Sequence, residues 1–216
     1  MSNLRTFRRL PALPEPTFLT DWRVSLIVPY ARTNLVTNPS LELATTGWSA
    51  MAGSVARSTT YSFHGAYSLA VTPTAATTDG CYFGTVSLTS GTTYAASVKV
   101  LVPNAAGRRY RLAIATTAGA TLAETSFIAT GRWQWVTVFY TETSSTTRRV
   151  YITKNGGTET AVFYVDGLQV EACGSEGVFA TTYIDGDQQG GQFGLAEGGL
   201  GCGGAGRRHH LPARSA

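Results

Sequence analysis

The chain has 216 residues with a formal net charge of +4; 14% are charged, 43% are hydrophobic, and 24 are glycine. That length suffices for one domain that buries roughly 70% of its unfolded surface, so no staple is required for folding. The basic residues are nearly all Arg and stand mostly toward the two ends; no helix carries an arginine face and no strand alternates aromatic with basic residues, so no nucleic-acid partner is expected.

Residues 1–33 contain Pro11, Pro14, Pro16 and Pro29 and one predicted strand, Trp22 to Val28, and read as an N-terminal arm or attachment segment. The opening MSNLRTFRRLPALPEPTFLTDW lacks the apolar run and cleavage site of an export signal. The most apolar run, VSLIVPYA, is far shorter than the roughly 20 residues that cross a bilayer, so no membrane partner is expected. Residues 34–187 carry repeated strand signals. The predicted strands are Tyr67–Thr72, Cys81–Leu88, Tyr94–Val102, Tyr110–Thr116, Leu122–Ile128, Trp133–Thr141, Arg148–Lys154 and Thr160–Val170, separated by turns such as Thr89-Ser90-Gly91 and Asn155-Gly156-Gly157. Short alternating strands at this spacing predict an all-β sandwich or barrel. Residues 188–216 are Gly-rich with almost no β-branched residues, and read as a flexible or partner-ordered tail because little side chain is available to offset backbone ordering. Cys81, Cys173 and Cys202 have no metal-ligand spacing.

Three stretches, in order, carry a family resemblance. NLVTNPSLELATTGW (34–48), SFHGAYSLAVT (62–72) and the pair GRWQWVTVFY and VFYVDGLQVEA resemble the opening strand, the loop-and-strand and the closing strands of jelly-roll carbohydrate-binding modules. RTNLVTNPSLE together with VDGLQVEACGSEGVFATTYIDGDQQG is similar to carbohydrate-binding-like domains in phage minor tail and other virion proteins. Leu41 departs from the Phe usual in the opening motif, and the Gly-rich tail replaces the aromatic strand that usually follows Asp-Gly-Asp. The resemblance implies a jelly-roll β-sandwich and places Trp48 and Trp133 in the core. It also implies a structural Ca2+ held by the side chains of Glu42 and Asp166 and by a backbone carbonyl near His64. The competing reading makes these carboxylates turn caps or surface groups. DGDQQGG (185–191) lacks the later ligands of a helix-loop-helix calcium site and reads as a turn.

Sugar binding requires aromatic faces for the pyranose C–H groups and polar side chains for the hydroxyls. The candidates are Trp135, Tyr82, Tyr140 and Tyr110, with Gln134, Arg109, Arg111 and Asp79 as polar partners. Alternation puts Trp133, Trp135 and Phe139 on one side of their strand and Gln134, Val136 and Tyr140 on the other, and both sides contain apolar residues. Each aromatic is therefore open to core packing or ligand stacking. His64, His209 and His210 support no Ser-His-Asp set, and neither a phosphate loop nor a zinc pattern occurs. The chain is read as a non-enzyme. The expected function is that of a phage virion structural protein, tail-associated or capsid-decorating, that displays the jelly roll for adhesion to host-surface polysaccharide. Made in the host cytoplasm, it would reside in the virion among other virion proteins as a homo-oligomer or multi-copy component. The alternative is a free glycan-binding module or an accessory module of a carbohydrate-active enzyme system.

Overall fold

The computed structural model describes residues 32–174, 178, 180, 181, 183 and 184. The arm with its predicted strand, the Asp-Gly-Asp turn and the Gly-rich tail lie outside the described residues. Ten strands form the domain: β1 (Trp48–Ala50), β2 (Ser54–Ser58), β3 (Ser68–Thr72), β4 (Gly80–Leu88), β5 (Thr93–Leu101), β6 (Arg109–Ala115), β7 (Thr121–Ile128), β8 (Gln134–Thr141), β9 (Thr146–Lys154) and β10 (Phe163–Ala172). They pair antiparallel in two five-stranded sheets, β1-β4-β9-β6-β7 (sheet I) and β2-β3-β10-β5-β8 (sheet II). The expected all-β jelly-roll β-sandwich is the observed architecture.

All eight strands predicted between Tyr67 and Val170 form, within a few residues of their expected bounds. Their inward residues, among them Leu69, Val71, Phe83, Val98, Val100, Leu112, Ile114, Val150, Ile152, Phe163 and Val165, make one continuous core. Trp48 joins it, edge-on to Phe83 at 5.6 Å. Leu41, in the position where the resembling family carries Phe, is completely buried.

The opening stretch departs from expectation. Residues 34–42 form no strand, because Asn38 and Leu41 adopt left-handed backbone conformations, with φ of 56° and 60°, that break a β path. Asn34 instead splices the segment onto β10. Its amide donates to the Leu168 and Ile184 carbonyls at 3.0 Å, its oxygen accepts from Val170 N at 3.0 Å, and Leu35 N donates to Val170 O at 2.8 Å. The segment thereby takes the side of β10 that β3 leaves unpaired beyond Val165.

A second tie is built on Glu171. Its buried carboxylate accepts from Thr181 N, from Thr181 Oγ1 at 2.8 Å and from Gln169 Nε2 at 2.9 Å, and Arg32 lies 3.5 Å away as its ion pair. Gln169 reaches Ile184 N as well. Residues 32–36 thus continue the edge of β10, and Thr181 and Ile184 are tied to the outward side chains of β10.

Candidate functional site

Alternation sends every second residue of sheet I away from the core. The outward residues Tyr82 of β4 and Tyr151 of β9 are direct cross-strand partners; their rings lie 5.2 Å apart with a 34° tilt. Ser49, Ala113 and Glu124 continue the same row on β1, β6 and β7. One pleat away, the Arg149 guanidinium sits 4.8 Å from the centre of the Tyr82 ring. One pleat the other way, Arg111 donates to Thr153 Oγ1 at 3.1 Å and to Glu124 at 2.8 Å. Ala113 and Ala115 point outward yet are only 2% and 1% exposed. Short side chains shielded by taller neighbours make this part of the face a depression. Farther along β6, Arg109 borders a cavity of about 220 Å³ with Ser126, Phe127 and Ile128. Paired rings flanked by guanidinium, hydroxyl and carboxylate groups match the needs of a sugar ring, which has apolar C–H faces and polar edges.

On the outer side of sheet II the two predicted metal carboxylates converge on one loop. Asp166 Oδ2 accepts Phe63 N at 2.7 Å and His64 N at 2.9 Å, while Glu42 Oε1 accepts Ala66 N and Tyr67 N at 2.9 Å each. The fit needs glycine at 65 and 167. Both have positive φ, and a Cβ on Gly65 would stand 2.3 Å from Glu42 Oε1 while one on Gly167 would meet the His64 ring at 2.6 Å. Arg57 holds the preceding turn through the carbonyls of Leu41 at 2.8 Å, Leu43 at 3.1 Å and Glu42. Burial pushes the Asp166 carboxyl up to about 7, against the lowering pull of the His64, Phe63 and Gly167 N–H groups, and the nearby Glu42 charge adds to the rise. Asp166 Oδ1 is buried without a hydrogen-bond partner. An unsatisfied hard oxygen beside a second carboxylate suits Ca2+. The loop meets both carboxylates with N–H groups, and at His64 the N–H is what engages Asp166, where the sequence expectation has a carbonyl ligand. Among the described residues no group of three or more His, Cys, Asp or Glu converges.

The same side of sheet II carries exposed aromatics. Trp135 is 36% exposed, Phe63 45%, Tyr61 42% and Phe139 40%. Lys99 places its ammonium 4.5 Å from the Phe63 ring and 4.4 Å from the Trp135 ring, at a cavity of about 110 Å³ that also touches Tyr183. Tyr183 stacks on His64 at 3.9 Å.

The predicted sugar ligands therefore separate. Tyr82, Arg109 and Arg111 lie on the outer face of sheet I, and Trp135 lies on that of sheet II. Four others are corrected. Tyr110 is wholly buried against Phe163 at 5.3 Å, where burial and the Glu159 charge push its phenol up, and no ligand can reach its ring. Tyr140 faces inward, packs against the core and puts its hydroxyl 3.3 Å from Glu142. Gln134 spends its amide on Ile128 O and Thr130 N, both at 3.0 Å. Asp79 is also buried; burial raises its carboxyl, but the N–H groups of Thr74, Gly80 and Ala52 outweigh that and hold it below the usual range. Trp133, assigned to the core, is half-buried outside it, edge-on to Phe63 at 5.8 Å. Tyr151, Arg149, Thr153 and Glu124 were not among the candidates. They share one parity within RRVYITK and TLAETSFI, but parity alone does not say which side faces out.

Comparison with known proteins bears directly on the ligand class. Residues 33–161, more than half the chain, match the model of a carbohydrate binding domain family. No curated protein sequence matches the chain. Among solved structures, the arabinose-bound MgGH51 α-L-arabinofuranosidase aligns with a TM-score of 0.55 at 15% identity over 65% of this chain, and the chain spans only 26% of that enzyme. A family 16 carbohydrate binding module aligns with a TM-score of 0.52 at 17% identity, over 63% of this chain and 99% of that one. The apo form of a cyclase from Fischerella sp. aligns with a TM-score of 0.53 at 13% identity, over 66% and 97%. At these identities the structural likenesses show the fold alone, and the cyclase shows that one fold serves different chemistries. The family match over residues 33–161 goes further: the chain belongs to the carbohydrate binding domain family.

Proposed function

We propose that the chain binds a polysaccharide along the outer face of sheet I. The observation that carries this reading is the Tyr82–Tyr151 pair, set in direct register above a floor of small residues. The half-buried Tyr82 ring, backed by Tyr151, which is only 8% exposed, would take the apolar face of a sugar unit, and Ser49 and the Arg111–Glu124 pair would take its hydroxyls. Family membership supports the ligand class. The outer face of sheet II is less suited to a long polymer, because the loop of residues 62–67 and residues 181, 183 and 184 of the chain lie across part of it. Affinity electrophoresis of the full chain against a panel of neutral polysaccharides tests the proposal. Retention that is lost in Tyr82→Ala and Tyr151→Ala is the expected result, and no retention on any polysaccharide would refute it.

A structural Ca2+ is part of the same proposal. Glu42 and Asp166 would hold it, and it would pin the loop of residues 62–67 to β10 by neutralising the buried Asp166 and the half-buried Glu42. The setting we propose is a virion, where many copies would turn weak single-site binding into avid adhesion to a host surface. That setting rests on the RTNLVTNPSLE and VDGLQVEACGSEGVFATTYIDGDQQG motifs; the family match supports better a free module or an accessory module of a carbohydrate-active enzyme system. Deleting residues 1–33 should prevent incorporation into particles, and particles that retain the truncated chain would count against a virion role.

A further inference from the structure

The face assigned to carbohydrate carries more positive charge than a neutral polymer calls for. Arg149, Arg111 and Arg109 are outward residues of the adjacent strands β9 and β6. Arg149 lies opposite Ala115, Tyr151 opposite Ala113 and Thr153 opposite Arg111, and Asn155 N reaches Arg109 O at the next row. The guanidiniums therefore follow one another along the strands, with the tyrosine pair between the first and the second. From the Arg149 row to the Arg109 row is six residues, about 20 Å of extended strand.

Little on this face neutralises them. Among the outward residues of β4, β9, β6 and β7, Glu124 is the one carboxylate, and Arg111 occupies it at 2.8 Å. Arg149 hydrogen-bonds the Tyr151 side chain, and its Nε is buried with no hydrogen-bond partner. Arg109 is exposed and borders the cavity of about 220 Å³. An orphaned donor and an exposed guanidinium, at opposite ends of an aromatic depression, point to a linear ligand with repeated planar anions. The guanidinium fork matches carboxylate geometry in two parallel hydrogen bonds.

We propose that the polysaccharide bound by this face is acidic, with Arg149 and Arg109 engaging uronic-acid carboxylates while Tyr82, backed by Tyr151, carries the intervening ring. This inference rests on the carbohydrate reading of the same face. The test is affinity electrophoresis of the full chain in gels containing polygalacturonate, neutral arabinoxylan or neutral glucomannan, with single-stranded DNA as competitor, at low and high salt. Polygalacturonate should bind about tenfold tighter than the neutral polymers at low salt, and the preference should shrink as salt screens the exposed charges. The double substitution Arg109→Gln with Arg149→Gln should lower the uronate-to-neutral affinity ratio about tenfold, at an unchanged thermal midpoint. A ratio that the double substitution leaves unmoved would overturn the inference, as would displacement of polygalacturonate by DNA at lower concentration than by its own oligomers. Neutral binding that depends on Tyr151 without any uronate preference sinks this inference and leaves the carbohydrate reading standing. Failure to retain any polysaccharide sinks both.

Discussion

The two outer faces of the sandwich are built by the same alternation and put to different use. On sheet II the outward carboxylates Glu171 and Asp166 are buried, because the Arg32 side chain and Thr181 close over the first and the loop of residues 62–67 over the second. On sheet I the outward Tyr82 and Arg111 are half-buried and Arg109 is exposed, while Tyr151, 8% exposed, lies with Ala113 and Ala115 beside the short β6–β7 turn, where a Cβ on Gly119 would stand 3.8 Å from the Tyr151 hydroxyl. Sheet II's outer face is largely a fastening surface, with an aromatic patch at one end. A buried carboxylate is costly to leave unpaired, whereas an exposed arginine pair contributes little to stability. Polar residues on one face should therefore report on folding and those on the other on binding.

The largest contrast is expected at Glu171. Glu171→Gln should lower stability by about 3 kcal/mol, since it leaves Arg32 facing a neutral partner in a buried site, whereas Arg111→Gln on sheet I should cost less than about 1 kcal/mol. Equal midpoints in denaturant melts of the two variants would erase the distinction. The next effect concerns calcium. If Glu42 and Asp166 hold Ca2+, adding the ion at about a hundred times its Kd should stabilise the chain by about 2.7 kcal/mol, and Asp166→Asn should remove that response. A midpoint indifferent to Ca2+ and to chelator would leave the pair as caps for the N–H groups of the loop.

Binding provides the third contrast. Tyr151→Ala should weaken polysaccharide binding by about 2 kcal/mol, near thirtyfold, while Trp135→Ala on the other face should change it less than about threefold. The reverse order would move the site to the aromatic patch around Lys99. The smallest effect is at the β8–β9 turn. There Glu142 accepts Arg148 Nε at 2.7 Å and Nη2 at 2.8 Å, together with the N–H groups of Thr143 and Ser144. The Arg148 hydrogen bond, aided by those N–H groups, holds the Glu142 carboxyl down at about 2 from an ordinary 4.5. A depressed carboxyl contributes stability that is present above its unfolded value and lost as pH falls toward the folded one. Glu142→Gln should therefore cost about 1.5 kcal/mol at pH 7 and progressively less between pH 4.5 and 2; a cost independent of pH would exclude the ionised pair as its source.

Most of the fold was legible in the sequence, because strands such as YAASVKVLV and RRVYITK advertise their period of two and the turns between them carry glycine. β1 and β2 escaped notice: WSA is three residues long, and SVARS only half-buries Val55 and Arg57. The opening stretch was misread as a strand because Asn38 and Leu41 are left-handed, and nothing about a leucine signals that conformation. The convergence of Glu42 and Asp166 on the loop of residues 62–67 was anticipated through family resemblance. Spacing does not imply it, since the two carboxylates are far apart in the chain. Tyr110 and Tyr82 looked alike as candidates and proved opposite, one sealed in the core and one on the outer face.

By itself the sequence determined the class of fold, the positions of eight strands and the two sides of each strand, because side-chain alternation is a local property of extended backbone. Which side faces the core was decided only by the tertiary structure. Strands β4 and β9, or β5 and β10, come together across dozens of intervening residues, and only that pairing sets Tyr82 beside Tyr151, threads arginines along one face and brings the loop of residues 62–67 over the other. Register and layer are collective choices, made where the summed burial of both sheets is greatest, and no single stretch of the chain contains them.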